Sequence, residues 1–272
     1  MSALATGHSP RPLILVTNDD GIDSPGILAA AEAASRLGDV LVVAPVGQQT
    51  AMGRSYPKTP NIGVIAEVSP PKDLPNVVGY YSVEGAPAQV VSYAILELAA
   101  TLPSLCISGV NYGENLGTTL TGSGTLGAAF EADSYEIPSL AVSLQVVDGD
   151  TPEGVNWGSC IAVCERFGSA LLRRDVPSDV SILNINIPSD ISPDTPVRRT
   201  IDSRQPFWVF RKPVREHHSV PTRLPVESEL VEDTLEADSD IRALILDHSI
   251  SVTPINRRLA YQGPWDSALF QA

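Results

Sequence analysis

The chain has 272 residues, 43% of them hydrophobic, with 18 basic against 32 acidic side chains and a formal net charge of −14. That length and apolar content suffice for one large domain, or a domain with an appended arm, and a substantial core. The charge argues against long nucleic acids or anionic membranes as partners, because counterion release needs clustered Lys and Arg. No apolar run is long enough to span a bilayer, and the first twelve residues carry no apolar signal core, so a soluble, cytoplasmic protein is expected. The three cysteines, Cys106, Cys160 and Cys164, are expected to be inert buried thiols in a reducing compartment.

In chain order, short apolar runs alternate with helical patterns. Residues 13–16 form a predicted buried strand, followed by the polar turn at 17–21. Ser24 and Pro25 read as an N-cap and first helical residue, opening a helix that runs to Leu37 and stops at Gly38. Strands are predicted at 40–44, 80–83, 105–108, 139–144 and 181–187, and helices at 87–100, 125–135 and 157–173, with a glycine-rich loop at 109–124. Strands joined through helices imply a mostly parallel sheet covered on both faces, an α/β fold. Beyond Pro188, prolines at 193, 196, 206, 213, 221 and 225 punctuate a stretch of Arg, aromatic and Val residues that resembles extended β-arms. A short helix at 238–246 and a strand at 250–253 follow. The division expected is a catalytic core at 1–190, an arm and C-terminal segment at 191–255, and a tail at 256–272.

In such a sheet, ligands gather beyond the carboxyl ends of the strands. Three polar turns fall there. The first holds Asp19 and Asp20, adjacent carboxylates off any helix surface. They form either a solvated turn or a site for a hard divalent cation, which takes oxygen ligands. The second carries Thr50, a neutral oxygen that could coordinate a metal, hold a water or be an ordinary loop hydroxyl. The third runs from Ser108 through Asn111 and Asn115 to Ser123, Gly124 and Thr125, where backbone N–H groups at a helix start could cradle a phosphate. No Lys follows the glycines, so this is no Walker A loop. The first turn holds acids in place of the dinucleotide fingerprint, and no Gly-x-Ser-x-Gly elbow is present. Of the four histidines, His8 lies in the N-terminal tail and His217 and His218 in the arm, while His248 is assigned a structural hydrogen bond.

The segments ILVTNDDGIDSPGI (14–27), VVAPVGQQTAMGRS (42–55), VEGAPAQVV (83–91), CISGVNYGENLG (106–117), SGTLGAA (123–129) and IPSLAVSL (137–144), in this order, resemble the SurE family of stationary-phase survival nucleotidases. LNINIP (183–188) and SDIRALILDHSISVTPI (239–255) are also similar. The resemblance implies a Rossmann-like three-layer core with a C-terminal β-rich extension exchanged between subunits of a homodimer or homotetramer. It implies removal of phosphate from nucleoside 5′- and 3′-monophosphates with one divalent ion per subunit, Mg or Mn. Carried over, the metal ligands are Asp19, Asp20, Thr50 and Asn111. Asp19 and Asp20 are also the catalytic acids, and Asn115, Ser123, Gly124 and Thr125 lie against the phosphate. Thr50 stands where the family usually has Ser, Ala86, Gln89 and Val90 replace its usual Thr, Asp and Cys, and Gly122 replaces the Tyr before Ser-Gly-Thr. The readings in competition with a nucleotidase are a broad phosphomonoesterase or polyphosphatase and a nucleotide-binding homologue with weak turnover.

Overall fold

In the computed structural model, which describes residues 11–147, 151–256 and 258, fifteen regular elements follow one another. They are β1 (Leu13–Thr17), α1 (Pro25–Leu37), β2 (Asp39–Pro45), β3 (Ile65–Glu67), β4 (Val77–Val83), α2 (Pro87–Tyr93), β5 (Leu105–Tyr112), α3 (Gly124–Ser134), β6 (Ser139–Leu144), α4 (Trp157–Arg173), β7 (Ile182–Ile187), β8 (Val197–Arg199), β9 (Trp208–Phe210), β10 (Val226–Ser228) and β11 (Ile250–Ile255). Most of the tail expected at 256–272 lies outside the described residues, as does His8.

Nine of the strands make one sheet in the order β3-β4-β2-β1-β5-β6-β7-β11-β8. Its six central strands, β4 to β7 in that order, run parallel. The central strands β1, β2, β5, β6 and β7 are buried on both faces because both faces are covered. Ile14 and Val16 of β1 pack with α1 and α4, whereas Leu15 packs with α2 and α3 residues such as Val90 and Ala128. The result is the three-layer α/β arrangement expected. From β1 the chain winds outward through β2 to β4, then returns to β5 on the other side of β1. That reversal opens a crevice at the carboxyl ends of β1 and β5.

Local chemistry sets the element ends. Ser24 caps α1, its hydroxyl accepting from Ile27 N at 3.4 Å, and Pro25 occupies the first turn. Gly26 lets α1 press against the end of β5, where an added Cβ would lie 1.9 Å from the Val110 carbonyl oxygen. The helix predicted to Ala100 ends at Tyr93 and finishes in a wider turn, Ala94–Leu98, with Ala99 N donating to Ala94 O at 2.8 Å. A similar turn at Arg242–Leu246 replaces the second half of the helix predicted at 238–246. β5 continues four residues into the predicted glycine loop, because a register shift against β6 between Ser108 and Asn111 absorbs Gly109.

The C-terminal segment divides. β11 returns to the main sheet antiparallel to β7, with β8 beyond it, while β9 and β10 pair only with each other. No helix among the described residues is long and apolar enough to cross a membrane. All three cysteines are free and buried, and burial pushes the Cys106 and Cys160 thiols up to about 12.

The α1–β5 contact can be tested directly. Gly26→Ala should cost about 2–3 kcal/mol in urea unfolding, at the upper end of overpacking effects. Gly47→Ala, with nothing within 4 Å of its added methyl, should stay within about 0.5 kcal/mol.

Candidate active site

The turn after β1 is built by Asn18. Its buried amide donates to Gly21 O at 3.0 Å and Ser24 Oγ at 2.6 Å, while its Oδ1 accepts from Gly21 N at 3.1 Å. Gly21 has φ +102°, a conformation that side-chain-bearing residues rarely adopt. The loop after β2 closes over this turn through Ile22 N to Pro45 O, 2.9 Å, and Gln49 N to Asp19 O, 2.7 Å. Between these bonds, Asp19 and Asp20 project into the crevice.

The two carboxylates have different surroundings. Asp19 is 5% exposed and its Oδ1 accepts the Thr125 hydroxyl at 2.7 Å, with the Thr125 N–H also directed at it. Gly124 permits this approach, since an added Cβ would sit 2.7 Å from Asp19 Oδ2. Burial nevertheless raises Asp19 from its ordinary 3.8 to about 7, Thr125 opposing the shift and neighbouring Asp20 adding to it. Asp20 is less enclosed; its Oδ2 accepts from Tyr112 N at 2.9 Å. Burial raises Asp20 as well, against hydrogen bonds from Tyr112 N and the Gln48 side chain.

The other residues singled out in the sequence fall as follows. Thr50 is exposed in the loop after β2, one residue past the Gln49 N–H bonded to Asp19. Asn111 lies in β5, directly before the Tyr112 N–H bonded to Asp20, and its amide donates to Gly113 O at 2.5 Å. The Asn115 amide donates to Ser143 Oγ at 2.8 Å and Thr125 Oγ1 at 3.4 Å. Ser123 is the N-cap of α3, its hydroxyl accepting from Leu126 N at 3.2 Å. Thr125 and Gly124 pack on Asp19 itself. His248 faces Asp190 at 3.7 Å, both side chains exposed.

Sequence reasoning missed several supporting residues. Asn184 and Asn186 of β7 both donate to Asn115 O, at 3.2 and 3.0 Å, and Asn186 Oδ1 accepts from Asn115 N at 2.8 Å. Asp240 accepts from Gly117 N at 2.8 Å and from Ser203 N at 3.0 Å. The visible signal was the alternation in Leu-Asn-Ile-Asn-Ile, which puts two amides on one buried sheet face. Glu114 is also buried, its carboxyl raised by desolvation while accepting from Val146 N at 3.2 Å.

A bound divalent cation suits this donor set. Two desolvated, adjacent carboxylates repel each other and, among the described residues, make no bond to a neutralising Lys or Arg, a charge that a hard cation would meet. Among the described residues no cluster of three or more His, Cys, Asp or Glu side chains gathers, so further ligands would be neutral oxygens such as those of Thr50 and Asn111.

The raised Asp19 pKa has a sign that can be measured. The folded state favours the neutral form, so this stability is present below about pH 4 and lost as pH rises through about 7. A rise from 3.8 to about 7 corresponds to at most about 4 kcal/mol. In EDTA at pH 8, Asp19→Asn should therefore stabilise the chain by about 1–4 kcal/mol in urea titrations, and flatten the decline between pH 4 and 7.

Comparison with known proteins bears on this geometry. A family profile described as "Survival protein SurE" matches residues 14–205. The chain is 39% identical over 249 residues to the 5′-nucleotidase SurE of Thermococcus gammatolerans, covering 89% of each chain. It is 43% identical over 187 residues to that of Methanothermobacter thermautotrophicus, covering 66% of this chain and 70% of the relative. The crystal structure of the SurE protein from Aquifex aeolicus superposes with a TM-score of 0.73 at 28% identity, covering 92% of this chain and 95% of that one. With the profile and the carboxylate turn falling on the same residues, the chain belongs to the SurE family.

Proposed function

We propose that the chain is a divalent-metal-dependent phosphomonoesterase that hydrolyses nucleoside 5′- and 3′-monophosphates to nucleoside and phosphate. The observation that carries this reading is the meeting of Asp19 and Asp20 with the Tyr112 N–H and the first turn of α3 at the sheet's switch point. The similarity to proteins named 5′-nucleotidase SurE supports it.

In this reading Asp19, Asp20, Thr50 and Asn111 hold one Mg or Mn ion. When bound, that ion supplies positive charge against a phosphate oxygen and acidifies a coordinated water. The protein's own groups do the rest. Thr125 and Gly124 fix the Asp19 carboxylate, and Tyr112 N fixes Asp20. Asp20, the less enclosed acid, takes the proton from the attacking water as the ester P–O bond breaks, and returns it to the departing nucleoside oxygen. Asn115, Ser123, Gly124 and Thr125 line the phosphate position at the start of α3, whose positive end favours an anion while the Thr125 hydroxyl and N–H stay on Asp19. Beside two acids, in a chain of net charge −14, a bound cation would offset the repulsion of an anionic substrate. The reading includes a cytoplasmic location, consistent with three free buried thiols, and a homodimer or homotetramer built through the C-terminal arm.

One observation favours a wider substrate range as a second reading. Nothing lies within 4 Å of the position a Cβ would take on Gly122, so the rim before Ser123 is open. A broad phosphomonoesterase would then use the same acids with less preference for nucleosides.

Phosphate release from a panel of nucleoside monophosphates, p-nitrophenyl phosphate and short polyphosphate tests both. Activity should vanish in EDTA and return with Mg²⁺ or Mn²⁺, with nucleotides preferred at least about tenfold, worth about 1.4 kcal/mol. Asp19→Asn should lower turnover by about a thousandfold, the scale of losing a principal electrostatic group. Near-normal turnover in that variant would refute the hydrolase assignment.

A further inference from the structure

Glu131 is a buried acid that the chemistry above does not use. It lies on α3 and is 5% exposed at its side chain, yet it draws partners from two other segments. Its Oε2 accepts from Arg54 Nε at 2.8 Å, and its Oε1 accepts from Ser92 Oγ of α2 at 2.7 Å. Tyr56 OH lies 3.4 Å from the same serine hydroxyl. Arg54 and Tyr56 belong to the loop that carries Thr50.

Further contacts press that loop onto α2, onto α3 and onto the turn that leads into α3. Gly53 N donates to Gly122 O at 2.9 Å, and Gln89 Nε2 donates to Pro57 O at 3.1 Å. Gly53 also lies so close to α3 that a Cβ on Gly127 would meet its carbonyl oxygen at 2.1 Å. At its other end the loop is held by Gln49 N on Asp19 O, 2.7 Å. Thr50 thus sits between an anchor on the Asp19 turn and a set of anchors on α2 and on α3, the helix that supplies Gly124 and Thr125.

We propose that Glu131, Arg54 and Ser92 form a positioning device that fixes the Thr50 loop over the Asp19–Asp20 pair, so that the strength of cation binding depends on Arg54. The inference rests on Thr50 being a cation ligand, as read above. Arg54 is 47% exposed, and an ion pair with one end in solvent adds little to global stability. Its effect should therefore be local. The enclosed carboxylate is the fixed member, because it also keeps the Ser92 hydroxyl, whereas half-exposed Arg54 is a partner that water can replace.

The experiment compares the unmodified chain with Arg54→Ala, Thr50→Ala and the double variant. Mn²⁺ affinity is measured by calorimetry, and amide exchange is followed across residues 49–57. Arg54→Ala should weaken Mn²⁺ binding about tenfold, the lower end of the cost of losing an outer partner of a metal site. Exchange at residues 49–53 should quicken at least about tenfold while the unfolding midpoint moves by no more than about 2 °C, as expected of local opening. In the Thr50→Ala background, Arg54→Ala should change Mn²⁺ affinity less than about twofold, because coupled sites are not additive. Mn²⁺ affinity or loop exchange unchanged in Arg54→Ala would overturn the proposal, as would a full tenfold loss persisting without Thr50. An unmodified chain that binds Mn²⁺ but releases no phosphate from nucleotides would sink the hydrolase reading alone. One that binds no Mn²⁺ would sink both.

Discussion

A carboxylate held out of water at the mouth of a helix is the constraint to which the catalytic end of the molecule is fitted. Asp19 receives the hydroxyl and N–H of Thr125, yet its pKa still stands near 7, so these donors do not offset its desolvation. Asp20 beside it adds repulsion. The turn could have avoided the cost by placing either acid in solvent. Instead Asn18 latches it shut from within, and Gly21 takes the backbone geometry that the latch requires. Desolvated acids paired in a crevice in this way are the arrangement from which the proposed cation site is read.

The surrounding loops are ordered by bonds to side chains, since they have little regular structure of their own. Residues 113–117 are held on one side by Asn186, Asn184 and Ser143, and on the other by Asp240, which accepts from Gly117 N. Thr118 N donates to Gln205 O at 3.1 Å, and Gly117 bridges to Pro206. The loop bearing Asn115 is therefore bonded to the root of the C-terminal segment as firmly as to the core. The segment that leaves the sheet at β8 and returns at β11 is part of the site's scaffold.

Much of the fold was legible because its signals are local and strong. Aliphatic runs such as Val-Leu-Val-Val announce strands buried on both faces, and Ser24-Pro25 announces a helix start. β3, β8, β9 and β10 were not legible as individual strands, because three residues carry too little periodicity to separate them from a turn. Within the site, Asp19 and Asp20 stood out as acids without helical spacing. What the sequence concealed is which neighbour serves which group. Thr125 and Ser123 look alike as hydroxyls before a helix, yet one donates to a buried carboxylate and the other caps α3. The Tyr112 N–H on Asp20 is a backbone donor, and no residue type signals it. Asn184, Asn186 and Asp240 lie some 70 to 125 residues along the chain from Asn115 and Gly117, a separation that no local pattern spans.

The sheet itself records what holding this loop costs. By strand alternation Thr17, Ser108, Ser143, Asn184 and Asn186 all point to the face that α3 covers, while the opposite face of the same strands carries Val16, Ile107, Val142, Leu183 and Ile185. Thr17 Oγ1, Ser108 Oγ and Asn184 Oδ1 are buried without a hydrogen-bond partner among the described residues. A buried polar atom with no partner in protein or water costs about 1–3 kcal/mol relative to a satisfied one, and aliphatic residues there would need no such partner. The polar set nonetheless extends from the strand that precedes Asp19 to the amides that grip both the N–H and the carbonyl of Asn115. A core optimised for stability alone would be aliphatic on both faces. This one gives up apolar burial on a single face, beside the two acids, where a loop without a ladder of its own needs fixed partners.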